Sequence, residues 1–176
     1  ITPIGISGQS RLRGNLSVES GSFAGQCGGQ AGHEMVFLYR VPPGKPLSNL
    51  IIRGRAGFYD AILYVRDACD AATEVECTTN GRLELGPQPE GEKIWIFLDH
   101  NQSESITYRL DIEAILQPEA ECGGDGFLCP DGLTCQLGRD GYRCLSAACD
   151  DGIDNDDDGR IDYPHDPGCA SPEDED

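Results

Sequence analysis

Residues 58–69 read Phe-Tyr-Asp-Ala-Ile-Leu-Tyr-Val-Arg-Asp-Ala-Cys, and their centre, Ala61–Val65, is apolar without a break. A second apolar run, Ile94–Leu98, reads Ile-Trp-Ile-Phe-Leu. Short runs of this kind, rich in β-branched and aromatic residues, are typical of strands that are covered on both faces. The two runs therefore predict the buried centre of a β-sheet.

The segments around these runs have the pattern of an all-β domain from Ser10 onward, and none has a convincing helical period. Clusters of Gly, Pro, Asn and Asp separate short β-prone runs at the spacing expected of a sandwich. Residues 107–113 alternate between polar and apolar, which predicts a strand with one buried face. We predict eight strands, near Arg11–Ser17, Glu34–Val41, Leu50–Gly54, Ala61–Arg66, Glu74–Thr78, Arg82–Leu85, Lys93–Asp99 and Ser105–Ala114. The predicted fold is a jelly-roll-like β-sandwich followed by a disulfide-rich extension of little regular structure.

The same stretches carry a resemblance to a known family. Residues 58–69 with Glu76 and Cys77 resemble the "D-T-V-L-Y-V-R…C…C" core of bacterial pre-peptidase C-terminal domains, with Ala61 in place of the usual Thr or Ser. Residues 27–37, 94–99 and 108–112 are similar to other strands of that family, so the resemblance covers residues 10–116. It implies a non-catalytic β-sandwich of the kind appended to secreted bacterial proteins, often enzymes.

Composition divides the chain into five segments. Residues 122–148 are rich in glycine, contain four cysteines and are too few to bury a core, so disulfides are expected to hold them together. The expected segments are an extended N-terminal segment (1–9), a sandwich related to pre-peptidase C-terminal domains (10–116), a linker (117–121), a cysteine-rich knot (122–148) and an acidic calcium-binding loop and tail (149–176).

Nine cysteines in 176 residues indicate an oxidising compartment, and the lack of any C-x-x-C pair argues against zinc and thioredoxin-like sites. Spacing alone leaves many pairings open, and local proximity favours four of them. These are Cys69–Cys77 across a hairpin-like loop, Cys122–Cys135 and Cys129–Cys144 in the knot, and Cys149–Cys169 around the acidic loop. Cys27 is then left over, either as a buried free thiol or as one that pairs with another molecule or with the knot.

The chain is strongly acidic, with a formal net charge of −18, and residues 149–176 hold 12 acids against Arg160 alone. The sequence suggests no basic patch, so nucleic acid and anionic membranes are not expected as partners. No apolar run approaches the roughly 18 residues of a membrane span. Because the chain starts at Ile1 without a signal-like segment, we expect a mature protein that is secreted, extracellular or displayed on a cell surface, and bacterial if the resemblance holds.

The acidic segment contains the clearest motif for a metal. Carboxylates alternate ahead of Gly159, as in the D-x-[DN]-x-[DN]-G opening of a calcium loop, in which oxygen ligands converge on one hard cation. The predicted Ca²⁺ ligands are Asp154, Asp156, Asp158, the carbonyl of Arg160, Asp162 and Asp166. Asp166 would replace the Glu that an EF-hand has at the twelfth position, where this chain has His165. Flanking prolines forbid the exiting helix of an EF-hand, and the loop resembles the repeats of thrombospondin type 3 instead. The alternative is a solvated acidic tail.

No catalytic arrangement is evident, because the sequence lacks a zinc-peptidase histidine pair and a G-x-S-x-G nucleophile. Two functions remain open. One is a structural or adhesive surface protein that polymerises through its sandwich, with residues 1–6 adding as a strand to a neighbour's sheet. The other is a monomeric module that binds carbohydrate or protein, with Phe58 and Tyr59 as the aromatic residues expected to be exposed. The expected partners are other copies, surface proteins or polysaccharide.

Overall fold

A computed structural model describes residues 2–3, 8–16, 25–28, 34–70, 73–101, 104–124, 126–138, 141–154, 158–172 and 174. The strands in these residues are β1 (Thr2–Pro3), β2 (Gln9–Leu16), β3 (Met35–Arg40), β4 (Leu47–Ala56), β5 (Tyr59–Asp60), β6 (Ile62–Arg66), β7 (Glu76–Thr78), β8 (Arg82–Leu85), β9 (Lys93–Asp99), β10 (Ile106–Leu116), β11 (Thr134–Gly138) and β12 (Gly141–Leu145). A single 3-10 turn, Ala148–Asp150, is the only helical element of the described residues. The all-β class is confirmed, and each of the eight predicted strands overlaps an observed one.

Two sheets pack face to face to make the sandwich. The first has the strand order β1-β3-β9-β6-β7, and the second has β2-β10-β4, with β5 and β8 both paired to β4. β10 is central to the second sheet, since it pairs with β2 on one side and with β4 on the other. Its burial alternates along its length, as predicted for a strand with one buried face.

β6 and β9 form the buried centre of the first sheet. All five residues of β6 are buried, and so is the run Ile96–Asp99 of β9. Their inner side chains join the main core between the sheets, whereas Ile62, Tyr64 and Phe97 form a second apolar cluster on the outer face. Burial on both faces explains why these two strands are apolar without alternation.

The N-terminal strand is paired inside its own chain. Thr2 and Pro3 of β1 lie parallel to Phe37 and Leu38 of β3. At Thr2 and Pro3, the structure therefore differs from the expectation that residues 1–6 are free to extend a neighbour's sheet. The physical reason is that β3 would otherwise be an edge strand, whose unpaired backbone groups attract the nearest extended segment.

The cysteine-rich segment packs on the end of the sandwich where β10 finishes. Leu116 N donates to Leu128 O (2.8 Å), and Leu128 N donates to Ala114 O (3.1 Å), so residue 128 extends the second sheet beyond the start of β2. Phe127 and Cys144 belong to the same apolar core as the sandwich strands. The rest of the segment is built on the β11–β12 hairpin.

One predicted disulfide is wrong. Cys77 is bonded to Cys27 and not to Cys69, which has no disulfide partner. Cys77 lies opposite Tyr64, and Gly25 lies against the Tyr64 ring. Gln26 N donates to both carboxylate oxygens of Glu74 (3.0 Å each). This contact brings Cys27 to Cys77 across 50 residues, a tertiary closeness that local spacing does not reveal. The structure contains the other three pairs as predicted: Cys122–Cys135, Cys129–Cys144 and Cys149–Cys169.

Candidate functional site

The acidic loop is closed at its base by the Cys149–Cys169 disulfide and by a hydrogen bond from Tyr163 N to Cys149 O (3.1 Å). Within it, Asp154 Oδ2 accepts a hydrogen bond from Gly159 N at 2.9 Å. Gly159 has φ +87°, a conformation that glycine adopts without a steric cost. The loop thus turns back on its first predicted ligand at the residue where the motif places its glycine.

The other described acids of the loop also accept backbone hydrogen bonds. Asp158 Oδ1 accepts from Arg160 N (2.9 Å), the Asp162 carboxylate accepts from Gly152 N (3.0 Å), and Asp166 Oδ1 accepts from Gly168 N (2.7 Å). An ionised carboxylate offers about four acceptor positions, so each of these groups keeps lone pairs for a further donor or a cation.

One carboxylate oxygen of the loop is buried without a partner. Asp154 Oδ1 is shielded from solvent, and no described residue donates to it. An unsatisfied buried oxygen, above all an ionised one, costs free energy that a cation contact would offset. The predicted donor set, carboxylates with a backbone carbonyl, is the set that calcium prefers. The residues present therefore fit a calcium ion in chemistry.

The predicted ligands do not converge in this structure. Among the described residues, no three loop carboxylates have oxygens within 4.8 Å of one another, and Asp156 lies outside those residues. The three groups that are that close are the sulfurs of Cys122, Cys129 and Cys144, which are bonded in disulfides.

A second charged surface lies on the solvent face of the sheet that contains β2, β10, β4, β5 and β8. Strand pairing gathers six arginines there (Arg11, Arg13, Arg53, Arg55, Arg82 and Arg109), together with four acids (Asp60, Glu84, Asp111 and Glu113). We call it the arginine face. Residues far apart in sequence are placed side by side on this face by the strand register, and it has two more arginines than acids.

Three of these arginines stand directly beside one another across three strands. Arg109 of β10 is opposite Arg13 on one side and Arg55 on the other. We call these three residues the arginine row. They line a groove of about 620 Å³ together with Asn15 and Thr107.

In the neighbouring row across the same strands, the arginines are paired with acids. Asp111 lies between Arg11 and Arg53, and its carboxylate pairs with Arg11 (2.6 Å) and with Arg109. Burial alone would raise the pKa of Asp111, but the hydrogen bonds from Arg11 and Arg109 outweigh it and hold that pKa below its ordinary range. Arg53 pairs with Glu113 (2.7 Å) in the same way. In the arginine row, by contrast, Arg13 has no ion pair among the described residues, and Arg55 is 3.8 Å from Asp60.

The arginine row could have been suspected from the sequence. Arg11-Leu-Arg13 and Arg53-Gly-Arg55 both have the two-residue spacing that puts side chains on one face of a strand. What the sequence does not give is the partner strand and the register, and these bring Arg109 between the two motifs.

A buried ion pair tethers the disulfide loop on the opposite sheet. Arg66 lies over the rings of Tyr64 and Phe97, at 5.1 and 4.9 Å, and its guanidinium is 3.4 Å from Glu74. Both side chains of the pair are almost fully buried. Burial, with the carboxylates of Glu34 and Asp99 in addition, raises the pKa of Tyr64. This cluster positions residues 25–28 and opens no described cavity.

These features define a class: a β-sandwich bonded by four disulfides, as is usual for proteins of oxidising compartments. In the part of the chain that the structure describes, no helix is long and apolar enough to cross a membrane.

No protein-family model and no curated protein matches the chain. Among solved structures, it is similar to the periplasmic lysozyme inhibitor PliG of Aeromonas hydrophila, with 12% identity over 64% of this chain and 94% of that chain and a TM-score of 0.45. It is also similar to the pre-peptidase C-terminal domain of a collagenase from Bacillus anthracis (15% identity, 64% and 93% covered, TM-score 0.42) and to the Yersinia pseudotuberculosis-derived mitogen (16%, 61% and 86%, TM-score 0.42). These similarities concern the course of the backbone alone.

Proposed function

We propose that this protein is a secreted or surface-displayed, non-catalytic calcium-binding protein that associates with other copies of itself. The observation that carries the calcium assignment is Asp154 Oδ1, a buried carboxylate oxygen that no described residue satisfies, at the first position of the aspartate motif. The sandwich would be a scaffold of the pre-peptidase C-terminal kind, and the acidic loop its calcium-dependent element.

Calcium binding would close the loop. Asp154, Asp156, Asp158, Asp162, Asp166 and the carbonyl of Arg160 are the proposed ligands. Because no three described carboxylates of the loop have oxygens within 4.8 Å of one another, part of the binding energy would be spent on drawing them together. The Cys149–Cys169 disulfide lowers that cost, since it keeps the two ends of the loop together before the ion arrives.

Thermal unfolding tests the calcium assignment. A ligand that binds only the folded state at 100 times its Kd stabilises that state by about 2.7 kcal/mol, which raises Tm by about 5–10 °C for a chain of this length. We expect such a rise between chelator and saturating calcium. Asp154→Asn should abolish it, because the amide keeps an oxygen for Gly159 N but loses the charge.

The control is Asp131→Asn, which removes an exposed acid outside the loop and should leave the calcium response intact. A Tm that is the same in calcium and in chelator would refute the assignment.

A second candidate function is a monomeric module that binds carbohydrate or protein substrates. One observation favours it: Phe58 is 96% exposed and Tyr59 is 59% exposed, next to each other where the turn after β4 leads into β5. Exposed aromatic pairs stack on sugars and protein side chains. A protein that ignores calcium and stays monomeric at every concentration would leave this candidate in place of the first.

A further inference from the structure

We propose that the arginine row (Arg13, Arg109 and Arg55) is the docking site for the acidic segment, residues 149–176, of a second copy of this chain, so that copies associate head to tail. This inference rests on the proposed self-association and names the two surfaces that meet.

The arginine row has more positive charge than its surroundings compensate. Arg13 has no ion pair among the described residues, Arg109 shares the carboxylate of Asp111 with Arg11, and Arg55 is 3.8 Å from Asp60. Like charges directly opposite one another in a sheet destabilise it. In a chain of net charge −18, three adjacent arginines are thus an arrangement that folding alone does not favour.

The chemistry of the row fits carboxylates. Each guanidinium presents a planar fork of donors that matches a carboxylate, and the three forks stand on neighbouring strands about 5 Å apart. Asn15 and Thr107, which also line the groove, add neutral hydrogen-bonding groups beside them. A groove of about 620 Å³ accommodates several side chains of a partner loop.

The acidic segment is the complementary surface that the same chain offers. It contains most of the net negative charge of the protein, and Arg160 is its only cation. Asp150 and Asp158 are exposed, so carboxylates are presented to solvent. Opposite charges of this density attract one another over the 8–10 Å of a Debye length and steer the encounter.

The arginine row lies away from the end of β10 on which the cysteine-rich segment packs. The cysteine-rich segment, which leads directly into the acidic loop, packs where β10 ends at Leu116, whereas Arg109 lies seven residues earlier. At about 3.4 Å per residue, that separation is roughly 24 Å.

Hydrogen bonds also hold Asp174 of the tail against the base of the acidic loop. Asp174 accepts from Ala170 N through its carboxylate (3.0 Å) and from Cys149 N through its carbonyl (3.2 Å). A contact between the acidic segment and the arginine row is therefore easier between two copies than within one. Such a contact joins unlike surfaces, so it generates open chains unless a ring closes.

Sedimentation velocity in chelator tests the proposal independently of calcium. We expect concentration-dependent association at about 25 mM salt that is reversed at about 500 mM, because screening removes contacts between exposed charges. Arg13→Glu with Arg55→Glu should weaken the association about tenfold or more. The matched control is Arg40→Glu with Lys93→Glu, an exposed cross-strand pair of cations on the other sheet, which should have little effect.

Mixing two variants distinguishes head-to-tail docking from general charge effects. The second variant neutralises four acids outside the proposed calcium ligands: Asp150→Asn, Glu173→Gln, Glu175→Gln and Asp176→Asn. Each variant alone should remain monomeric. An equimolar mixture should form a one-to-one dimer, because one copy keeps the arginine row and the other keeps the acidic segment.

Three results would overturn the proposal. Association that is insensitive to salt and to the Arg13→Glu/Arg55→Glu change would leave self-association in place but move it to another surface. A monomer under all conditions would remove the proposed self-association as well. A monomer that is retained on an anionic polysaccharide, and released by the same arginine changes, would assign the arginine row to that ligand instead.

Discussion

At the residue scale, the molecule leaves a few buried polar atoms unsatisfied, and they do not all have the same meaning. Asp154 Oδ1 lies in an acidic loop whose other acids are the proposed ligands of a cation. The hydroxyl of Tyr39 is also buried without a donor or acceptor among the described residues, but it lies in the apolar core. Burial raises the pKa of Tyr39 to about 12, so its phenol stays protonated well above the ordinary value of 10.

Tyr39→Phe should therefore leave the free energy of unfolding unchanged or raise it by up to about 1 kcal/mol. The substitution removes a hydroxyl that loses its hydrogen bonds to water on folding and has no partner among the described residues. The same change should reduce the loss of stability between pH 10 and 12. The unfolded tyrosine loses its proton near pH 10 and the folded one near 12, so this residue destabilises the folded state as pH rises through that window. Urea unfolding at neutral and alkaline pH measures both effects.

The control is Tyr39→Ala, which should cost about 3–5 kcal/mol by opening a cavity. A loss of more than about 1 kcal/mol in Tyr39→Phe at neutral pH would mean that the hydroxyl has a partner.

At the scale of elements, what the sequence could predict depends on how local the signal is. The strands were predictable because the alternation of polar and apolar residues in β10, and the continuous apolar runs in β6 and β9, are patterns of residues that are adjacent in sequence. The partner of Cys77 was not predictable, because it is brought there from 50 residues away by the contact between Gln26 and Glu74. The arginine row was missed for the same reason: Arg109 meets Arg13 and Arg55 only through strand register.

The Cys27–Cys77 disulfide should make a large contribution to stability. Removing it by Cys27→Ala with Cys77→Ala should lower the free energy of unfolding by up to about 4 kcal/mol, the loop-closure value for a 50-residue separation. Cys69→Ala should change stability little. Denaturant unfolding measures the difference, and alkylation of the unreduced, denatured protein should label Cys69 alone among the nine cysteines. Labelling of Cys27 instead would restore the pairing suggested by local spacing.

At the scale of the whole molecule, the sandwich and the cysteine-rich segment share one core. Phe127 and Cys144 are buried in the same cluster as the sandwich strands, so the C-terminal segments are anchored to the sandwich and not suspended from it. The acidic loop follows this anchored segment directly in the chain, at Cys149.

Calcium titration calorimetry on the chelator-treated protein, paired with Asp154→Asn, is the most direct examination of the proposed loop. One calcium ion should bind per chain in the wild type, with heat that disappears in Asp154→Asn and persists in Asp131→Asn. No calcium binding in the wild type, or binding that Asp154→Asn leaves unchanged, would show that the loop is a solvated acidic tail.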